Sequence, residues 1–220
     1  MKIDILTLFP ESFSYLDSSI LKRAKESGIL EINILNIRDF SKDKHKKCDD
    51  YPFGGGAGML MTAQPIYDGV KSVQTEKSHI VFASPSGQTL SVEKAKELSK
   101  QEHLIFICGH YEGIDQRVID LLKPEEISIG DYVLTGGELP TMVIIDCLSR
   151  FVDGVITKES LSEESFSEGN LEYPQYTRPQ VFEGLAVPDV LVSGNHQEVA
   201  KWRKSKSEEK TKNVRPDLLK

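Results

Sequence analysis

The sequence predicts an α/β protein whose mainly parallel sheet is covered by helices on both faces, followed by a small helical domain. Three observations lead to this fold class. Short apolar runs alternate with helical patterns over the first 151 residues, and the later runs end in glycine-bearing turns. The alternation stops after Gly154. The composition, with 39% hydrophobic and 28% charged residues in a chain of 220, is that of an ordinary globular protein.

The individual elements follow from the spacing of the apolar residues. Residues 2–8 alternate as a strand does, and apolar residues then recur at helical spacing from Phe13 to Ala24, until Gly28 offers a stop. The same criteria predict further strands at 30–36, 79–83, 104–108 and 126–129, and helices at 65–73, 91–100, 114–122, 139–151 and 197–206.

Composition divides the chain into an α/β domain at 1–157, an acidic flexible linker at 158–174 and a small helical domain at 175–220. Residues 158–172 contain five glutamates and no apolar periodicity, which is typical of a linker. Residues 175–220 carry nine basic against six acidic side chains, in a protein whose net charge is −7. A basic tail on an acidic body suits a polyanionic partner, and a solvated lysine-rich helix is the alternative.

Several protein classes do not fit this sequence. No window approaches the roughly 18 to 20 apolar residues that a membrane span needs, so we expect a cytoplasmic protein. The three cysteines, Cys48, Cys108 and Cys147, are odd in number and widely spaced. They suggest neither a disulfide framework nor a zinc site, and we interpret them as reduced packing residues. No cluster of carboxylates marks a metal site.

Unusual residues follow three of the predicted strands, at the sheet edge where α/β proteins bind ligands. The three turns are 84–87, 109–113 and 130–140, and each contains glycine. Glycines there let backbone groups approach a ligand directly. Three turns that converge would form a pocket suited to an adenosine-like ligand. The alternative is that each turn only connects a strand to the next helix and binds no ligand.

The usual nucleotide and hydrolase motifs are missing, including G-x-G-x-x-G, G-x-x-x-x-G-K-[ST], H-E-x-x-H and G-x-S-x-G. A second glycine cluster, at 54–58, follows a basic run at 42–47. It is either a long surface loop or, since basic residues lie beside an adaptable backbone, an RNA-binding loop.

Together these stretches resemble the bacterial tRNA (guanine-N1)-methyltransferases of the SPOUT superfamily, which methylate guanine 37, next to the anticodon. The resemblance spans nearly the whole chain, and its most specific motifs are 49–56 (DDYPFGGG) and 128–140 (SIGDYVLTGGELP). It implies a deep trefoil knot in the α/β domain, an exception to the rule that chains do not thread loops. It also implies a homodimer with composite active sites, S-adenosylmethionine as cofactor, tRNA as partner and an assisting divalent ion such as Mg²⁺.

The resemblance places the cofactor pocket on the three turns already singled out. The implied cofactor residues are Phe82, Ser84, Pro85, Gly87, Gly109, Tyr111, Glu112, Gly113, Ile129, Gly130, Asp131, Tyr132, Val133, Leu134, Gly136, Gly137 and Pro140. The implied substrate residues are Asp50, Gly55, Gly56, Ser165, Arg178, His196 and Arg203.

The catalytic pair implied by the family is Arg150 and Glu164. Without the resemblance, Arg150 would be interpreted as a surface arginine after an amphipathic helix. Glu164 stands where the family has aspartate, and the segment before it is one residue shorter than in family members. Glu163 and Glu168 are alternative bases. His110 and His196 could act in acid–base chemistry, but we interpret them as hydrogen-bonded structural residues.

Two other functions remain open at this point. A related knotted methyltransferase that acts on a ribose 2′-hydroxyl would share the cofactor pocket. The exchange of aspartate for glutamate also leaves room for a tRNA-binding protein with weak catalysis.

Overall fold

The chain divides into two units with separate internal packing, Met1–Ile156 and Thr157–Lys220. The computed structural model describes residues 1–157, 164–166 and 169–219. Within the linker predicted at 158–174, residues 158–163, 167 and 168 therefore lie outside the described residues, and these include the alternative bases Glu163 and Glu168.

A parallel sheet forms the centre of the first unit. Its strands are β1 (Lys2–Thr7), β2 (Glu31–Asn36), β5 (Ser78–Thr89), β6 (His103–Cys108) and β7 (Glu125–Ser128), while β3 (Asp49–Asp50) and β4 (Leu60–Met61) form a separate antiparallel pair. Within residues 1–157, the five longer strands pair only in parallel, in the order β2-β1-β6-β5-β7. The predicted α/β fold with a mainly parallel sheet is confirmed.

Helices cover both faces of the sheet because the strand side chains alternate between two apolar clusters. Ile3, Ile5 and Leu104 pack in one cluster with side chains of α1 (Ser19–Glu26), α3 (Val92–Leu98) and α5 (Glu138–Ser149). Ile105 and Ile107 point to the other face, towards α2 (Ala63–Val73) and α4 (Gln116–Leu122). Every residue of β6 is buried, as expected for a central strand covered on both sides.

The helical pattern predicted from Phe13 to Ala24 is two helices in the structure. A 3₁₀ helix spans Pro10–Asp17, and α1 begins at Ser19. Ser18 between them is extended, with φ −120° and ψ 157°. Ser18 and Ser19, whose φ is +49°, interrupt the helix without changing the spacing of the apolar residues, so the pattern could not show the break.

The strand predicted at 79–83 continues well beyond its predicted end. Its pairing with β7 shifts register between Ala83 and Gln88, where residues 84–87 bulge out of the sheet, and the strand then rejoins β7 through Gln88 and Thr89. Both ends of this bulge are therefore held by the same neighbouring strand. Bulges commonly change the direction of side chains, and this one contains Ser84 and Pro85.

A buried polar cluster ties the opposite end of the sheet together. Asp4 on β1 is only 1% exposed and accepts hydrogen bonds from His103 Nε2 at 2.7 Å and Asn33 Nδ2 at 2.9 Å. Lys2 Nζ lies 3.0 Å from the same carboxylate. His103 also contacts Ser78 Oγ through Nδ1 at 2.7 Å, so the cluster joins β1, β2, β5 and β6.

Replacing Asp4 with alanine is expected to lower the free energy of unfolding by about 2–4 kcal/mol, because His103 and Asn33 lose a buried partner. Urea unfolding followed by circular dichroism measures this change. Asp17→Ala is the matched control, since Asp17 is 65% exposed and pairs with Lys25 at the surface. The control should cost less than about 1 kcal/mol. Equal losses in the two variants would contradict a structural role for the cluster.

The second unit consists of short elements and one long helix. Its parts are an antiparallel pair, β8 (Val181–Phe182) and β9 (Leu185–Ala186), then α6 (Asp189–Val192), α7 (His196–Val214) and a 3₁₀ turn at Pro216–Leu219. Asn195 caps α7, because its Oδ1 accepts from the N–H groups of Gln197 and Glu198. In the described residues, no helix has the length and apolar character needed to cross a membrane.

Candidate active site

A cavity of about 200 Å³ opens where the carboxyl ends of β5, β6 and β7 meet. Its walls come from the three glycine-bearing turns that the sequence singled out. The lining residues are Phe82, Ala83, Ser84, Pro85, Gly109, His110, Tyr111, Glu112, Gly113, Ile127, Ser128, Ile129, Gly130, Tyr132, Val133, Leu134, Thr135, Gly136, Gly137 and Pro140. The three turns thus converge on one crevice.

All the predicted cofactor residues line this cavity except Gly87 and Asp131. Gly87 has a different role, since a Cβ there would lie 2.4 Å from the backbone carbon of Glu126. This glycine lets the bulged end of β5 return to β7. The sequence alone could not separate a glycine required for strand packing from one that faces a ligand.

Sequence reasoning did not assign Ala83, His110, Ile127, Ser128 and Thr135 to the cavity, although the structure places all five in its wall. Four of them lie directly beside a predicted residue, and Ile127 lies two residues before Ile129. Their position next to the assigned residues was the available signal.

Backbone hydrogen bonds fix two of the turns against each other. The N–H of Gly137 donates to the carbonyl of Gly109 at 2.7 Å, and His110 forms an antiparallel bridge with Gly136. A Cβ on Gly137 would lie 2.6 Å from the Gly109 nitrogen and 2.9 Å from Cys108 Cα. Only glycine permits this approach, so the wall consists largely of main chain.

Behind the wall lies a buried polar group. Glu138, at the start of α5, is 8% exposed, and its Oε1 accepts a hydrogen bond from Thr7 Oγ1 at 2.9 Å. Cys108 lies nearby, and burial raises the pKa of its thiol far above the ordinary range, more than the contact with Thr141 lowers it. A thiol that stays protonated is a poor nucleophile, which agrees with a packing role.

The glycine-rich loop between β3 and β4 is attached to the turn that carries Glu112. The N–H of Glu112 donates to the carbonyl of Met59 at 3.0 Å, and the N–H of Met61 donates to that of Gly113 at 2.9 Å. Three predicted substrate residues are exposed here: Asp50, the last residue of β3 at the start of the loop, and Gly55 and Gly56 on the loop itself. Gly55 and Gly56 have φ of +79° and +132°, conformations that favour glycine.

Arg150 follows the last residue of α5 and is half-buried. Its guanidinium lowers the pKa of the neighbouring Cys147, although burial outweighs this effect and raises that pKa overall. A cation therefore stands at the carboxyl end of α5, where the helix dipole favours positive charge.

The other predicted site residues belong to the second unit. Glu164 and Ser165 are half-buried, and Ser165 Oγ accepts a hydrogen bond from the N–H of Glu172 at 2.9 Å. His196 is the first residue of α7, and the Arg203 guanidinium lies over the ring of Tyr173, 4.8 Å from its centre. Arg178 is exposed and precedes Pro179 through a cis peptide bond.

The fold and the cavity together define a class of protein. A parallel α/β sheet with a cavity at the carboxyl ends of its strands, lined by backbone and apolar side chains, is typical of proteins that bind a nucleotide-like ligand. Within that class, the chain belongs to the tRNA (guanine-1)-methyltransferase family TrmD, whose family model matches residues 1–220. The predicted family is confirmed.

Similar proteins cover the whole chain. A tRNA (guanine-N(1)-)-methyltransferase of Ruminiclostridium cellulolyticum is 56% identical over 224 residues, with 100% of this chain and 96% of the relative aligned. The proteins with that name from Caldicellulosiruptor saccharolyticus and Clostridioides difficile are 57% and 56% identical, again over 100% of this chain and over 90% and 98% of their own lengths.

Proposed function

We propose that this protein transfers the methyl group of S-adenosylmethionine to N1 of guanine 37 in tRNA. As a member of the tRNA (guanine-1)-methyltransferase family, the chain is a tRNA methyltransferase. The observation that carries the proposal is the backbone-lined cavity at the carboxyl ends of β5, β6 and β7. The family match favours the guanine N1 reaction over the ribose 2′-hydroxyl reaction.

The cavity fits an adenosine-like cofactor. It combines main-chain donors and acceptors at the glycines with apolar side chains, among them Phe82, Ile129 and Leu134, that could pack against a flat base. When bound, S-adenosylmethionine supplies an electrophilic methyl group on its sulfonium. The predicted cofactor residues that line the cavity would hold and orient it.

Substitution of Gly137 with alanine is expected to raise the Kd for S-adenosylmethionine about five- to hundredfold, because overpacking of about 1–3 kcal/mol must separate the turns at Gly109 and Gly137. Isothermal titration calorimetry measures the effect. Gly184→Ala is the control, since nothing lies within 4 Å of the added carbon and the strain from its φ of +80° falls in the β8–β9 turn, outside the cavity lining. Similar Kd values for the wild type and the Gly137 variant would refute this part of the proposal.

The reaction requires removal of a proton, since guanine N1 carries one at neutral pH. We assign this step to the Glu164 carboxylate, since a positioned carboxylate can accept the proton as a general base. As the proton leaves, negative charge spreads to O6 of guanine. The fixed guanidinium of Arg150 would stabilise this charge more in the transition state than in the ground state.

The substrate base must leave the anticodon loop to reach the cavity. The exposed loop that carries Asp50, Gly55 and Gly56 borders the cavity wall through Glu112 and Gly113 and is suited to contact it. In the second unit, α7 carries exposed lysines, including Lys201 and Lys210, that could contact phosphates. Binding of tRNA should therefore weaken as the salt concentration rises.

A homodimer is part of the proposal, and an exposed apolar face supports it. Leu139 and Val143 lie one helical turn apart on α5 and are 58% and 46% exposed. A second copy of the chain could cover them, and the family arrangement would then complete each site with residues of both copies. Sedimentation of the full chain, expected at twice 24.7 kDa, tests this point.

The trefoil knot, the assistance of Mg²⁺ and the cytoplasmic location also remain proposals. The contacts of Gly137 and Gly136 with the turn after β6 support a tightly threaded arrangement of the chain. In the described part of the chain, no group of three or more potential side-chain ligands could hold a metal ion. Because Mg²⁺ commonly keeps several waters and binds through one or two carboxylates and substrate phosphates, its assistance stays a proposal, and no step is assigned to it.

Incubation with S-adenosylmethionine and two tRNA transcripts tests the proposed function. One transcript carries guanine at position 37 preceded by guanine, and the other carries adenine at 37. We expect 1-methylguanosine from the first transcript alone, identified by mass spectrometry of the digested product. Ribose methylation would indicate the related 2′-hydroxyl reaction. Cofactor and tRNA binding without product would indicate a binding protein with weak catalysis.

A further inference from the structure

His110 in the cavity wall is held in one orientation by its neighbours. The ring of Phe9 lies 4.8 Å from the His110 ring centre, and the ring of Tyr111 packs edge-on at 5.0 Å. The backbone N–H of His110 donates to the sulfur of Met61 at 3.2 Å, and the backbone of His110 forms a β-bridge with Gly136. Backbone and ring are therefore fixed on several sides.

The two ring nitrogens of His110 have different surroundings. Nδ1 is buried and, among the described residues, has no hydrogen-bond partner. It faces Glu138 Oε2 at 3.8 Å, while Oε1 of the same carboxylate is occupied by Thr7. The side chain of His110 is 25% exposed and lines the cavity, so this exposure belongs to ring atoms other than Nδ1. Nε2 makes no hydrogen bond in the described part of the chain and, unlike Nδ1, is not a buried atom, so it is the nitrogen that a ligand can reach.

Gly136 explains why Nδ1 is sealed from the cavity. A Cβ at this position would lie 2.7 Å from His110 Nδ1 and 2.4 Å from Glu138 Oε2. Because glycine has no Cβ, the turn can close over the pair of side chains. The prediction that His110 is a hydrogen-bonded structural residue is wrong for its ring, which faces a carboxylate without a hydrogen bond.

A neutral imidazole carries its proton on one nitrogen and a lone pair on the other. With the proton on Nδ1, the positive end of the Nδ1–H dipole faces the Glu138 carboxylate. With the proton on Nε2, the Nδ1 lone pair would face the carboxylate in a buried site, where electrostatic repulsion is strong. The surroundings of Nδ1 therefore select the tautomer.

We infer that Glu138 fixes His110 as the Nδ1–H tautomer, so that Nε2 presents a lone pair to the cavity and accepts a hydrogen bond from an N–H group of a nucleoside-like ligand. His110 is then a binding residue for the ligand, and Glu138 is a positioning residue that acts through it. The identity of the ligand as S-adenosylmethionine rests on the proposed function. The tautomer of His110 in the free protein does not depend on the proposed function.

Long-range ¹H–¹⁵N correlation spectra of the full chain labelled with ¹⁵N-histidine test the tautomer directly. The H110Q variant assigns the His110 signals among the five histidines. We expect the Nδ1–H pattern in the free wild type and a shift towards the Nε2–H pattern in E138Q, whose amide can donate to Nδ1. A wild-type spectrum with the Nε2–H pattern, or with both nitrogens protonated, would overturn the inference.

Binding of S-adenosylmethionine to two variants tests the role of Nε2. In H110Q the side-chain amide reaches the position of Nε2, whereas in H110N it reaches only that of Nδ1. We expect H110N to raise the Kd about tenfold, the value of one hydrogen bond, and H110Q to stay within about threefold of the wild type. H45Q, at an exposed histidine outside the cavity lining, is the control.

Equal loss of affinity in H110Q and H110N would indicate a packing role for the ring and would contradict the inference, as would unchanged affinity in H110N. Failure of the wild type to bind S-adenosylmethionine would refute the proposed cofactor instead. In that case the tautomer spectra still decide the state of His110, so the two failures are distinguishable.

Discussion

Replacement of Arg150 by alanine is expected to lower the rate of guanine methylation by about a hundred- to a thousandfold, as the loss of one fixed donor to a developing oxyanion typically does. The Kd for S-adenosylmethionine should stay close to that of the wild type, because Arg150 does not line the cavity. Single-turnover assays with the tRNA transcript that carries guanine at 37 separate the chemical step from binding.

Two further variants sharpen the Arg150 test. Arg150→Lys keeps the positive charge but loses the planar fork of donors, so its rate should lie between those of the wild type and the alanine variant. Arg23→Ala removes an exposed arginine from α1 and should leave the rate unchanged. If Arg150→Ala stays within a few-fold of the wild type, the role of Arg150 is structural and the stabiliser of O6 is another group.

Replacement of Glu164 by glutamine should reduce the rate by about a hundred- to ten-thousandfold, since general-base catalysis contributes about that much. The substitution keeps the shape of the side chain but replaces one acceptor oxygen with an NH₂ donor and removes the basic carboxylate. Binding of tRNA should be nearly unchanged, because the proton is abstracted only during the reaction. The single-turnover rate and the tRNA Kd, measured in parallel, separate these effects.

Glu164→Asp is the informative companion variant. The family resemblance implies aspartate at this position on a linker one residue longer, so aspartate on the linker of this chain should place its carboxylate short of the guanine. A displacement of about 1 Å can cost roughly a hundredfold in rate. Glu183→Gln, at an exposed glutamate of the β8–β9 turn, is the control. Full activity of Glu164→Gln would place the base elsewhere and make Glu163 and Glu168 the next residues to replace.

The parallel sheet was predictable because buried strands appear in the sequence as continuous apolar runs. The apolar run at 104–108 predicted β6 (His103–Cys108) to within one residue, and Gly109 predicted the turn that follows. The far part of β5 was not predictable, since residues 84–89 contain serine, proline and glycine, which usually end a strand. Here β7 pairs with the chain again after the bulge, a tertiary contact that local pattern does not contain.

The elements of the second unit were harder to predict from the sequence than the sheet of the first. Its β8 and β9 strands have two residues each, too few for an alternating pattern. Helix α7 extends to Val214, beyond the predicted end at 206. The prediction stopped early because the last turns of the helix are polar and carry no apolar stripe. Lysine and glutamate are good helix formers and continue the helix without that stripe.

The cavity could be outlined from the sequence, but the state of its side chains could not. Glycine-bearing turns after neighbouring parallel strands predict convergence at one edge of the sheet. The pairing of His110 with Glu138 joins residues of two different turns, and only the fold brings them within reach. For the same reason Gly87 and Gly137 looked alike in sequence, although one packs against β7 and the other against the turn after β6.

The main-chain construction of the cavity wall has a consequence for inhibition. A competitive inhibitor that hydrogen-bonds to peptide groups at Gly109, Gly136 and Gly137 would contact atoms that no point mutation can remove. A mutation that adds a side chain at Gly136 or Gly137 would collide with the wall itself, since the new carbon would meet other atoms at 2.4 Å and 2.6 Å. Resistance would therefore have few single-step routes that leave the natural ligand bound. Compounds that rely on the side chain of Val133, which is 81% exposed, would lose that advantage.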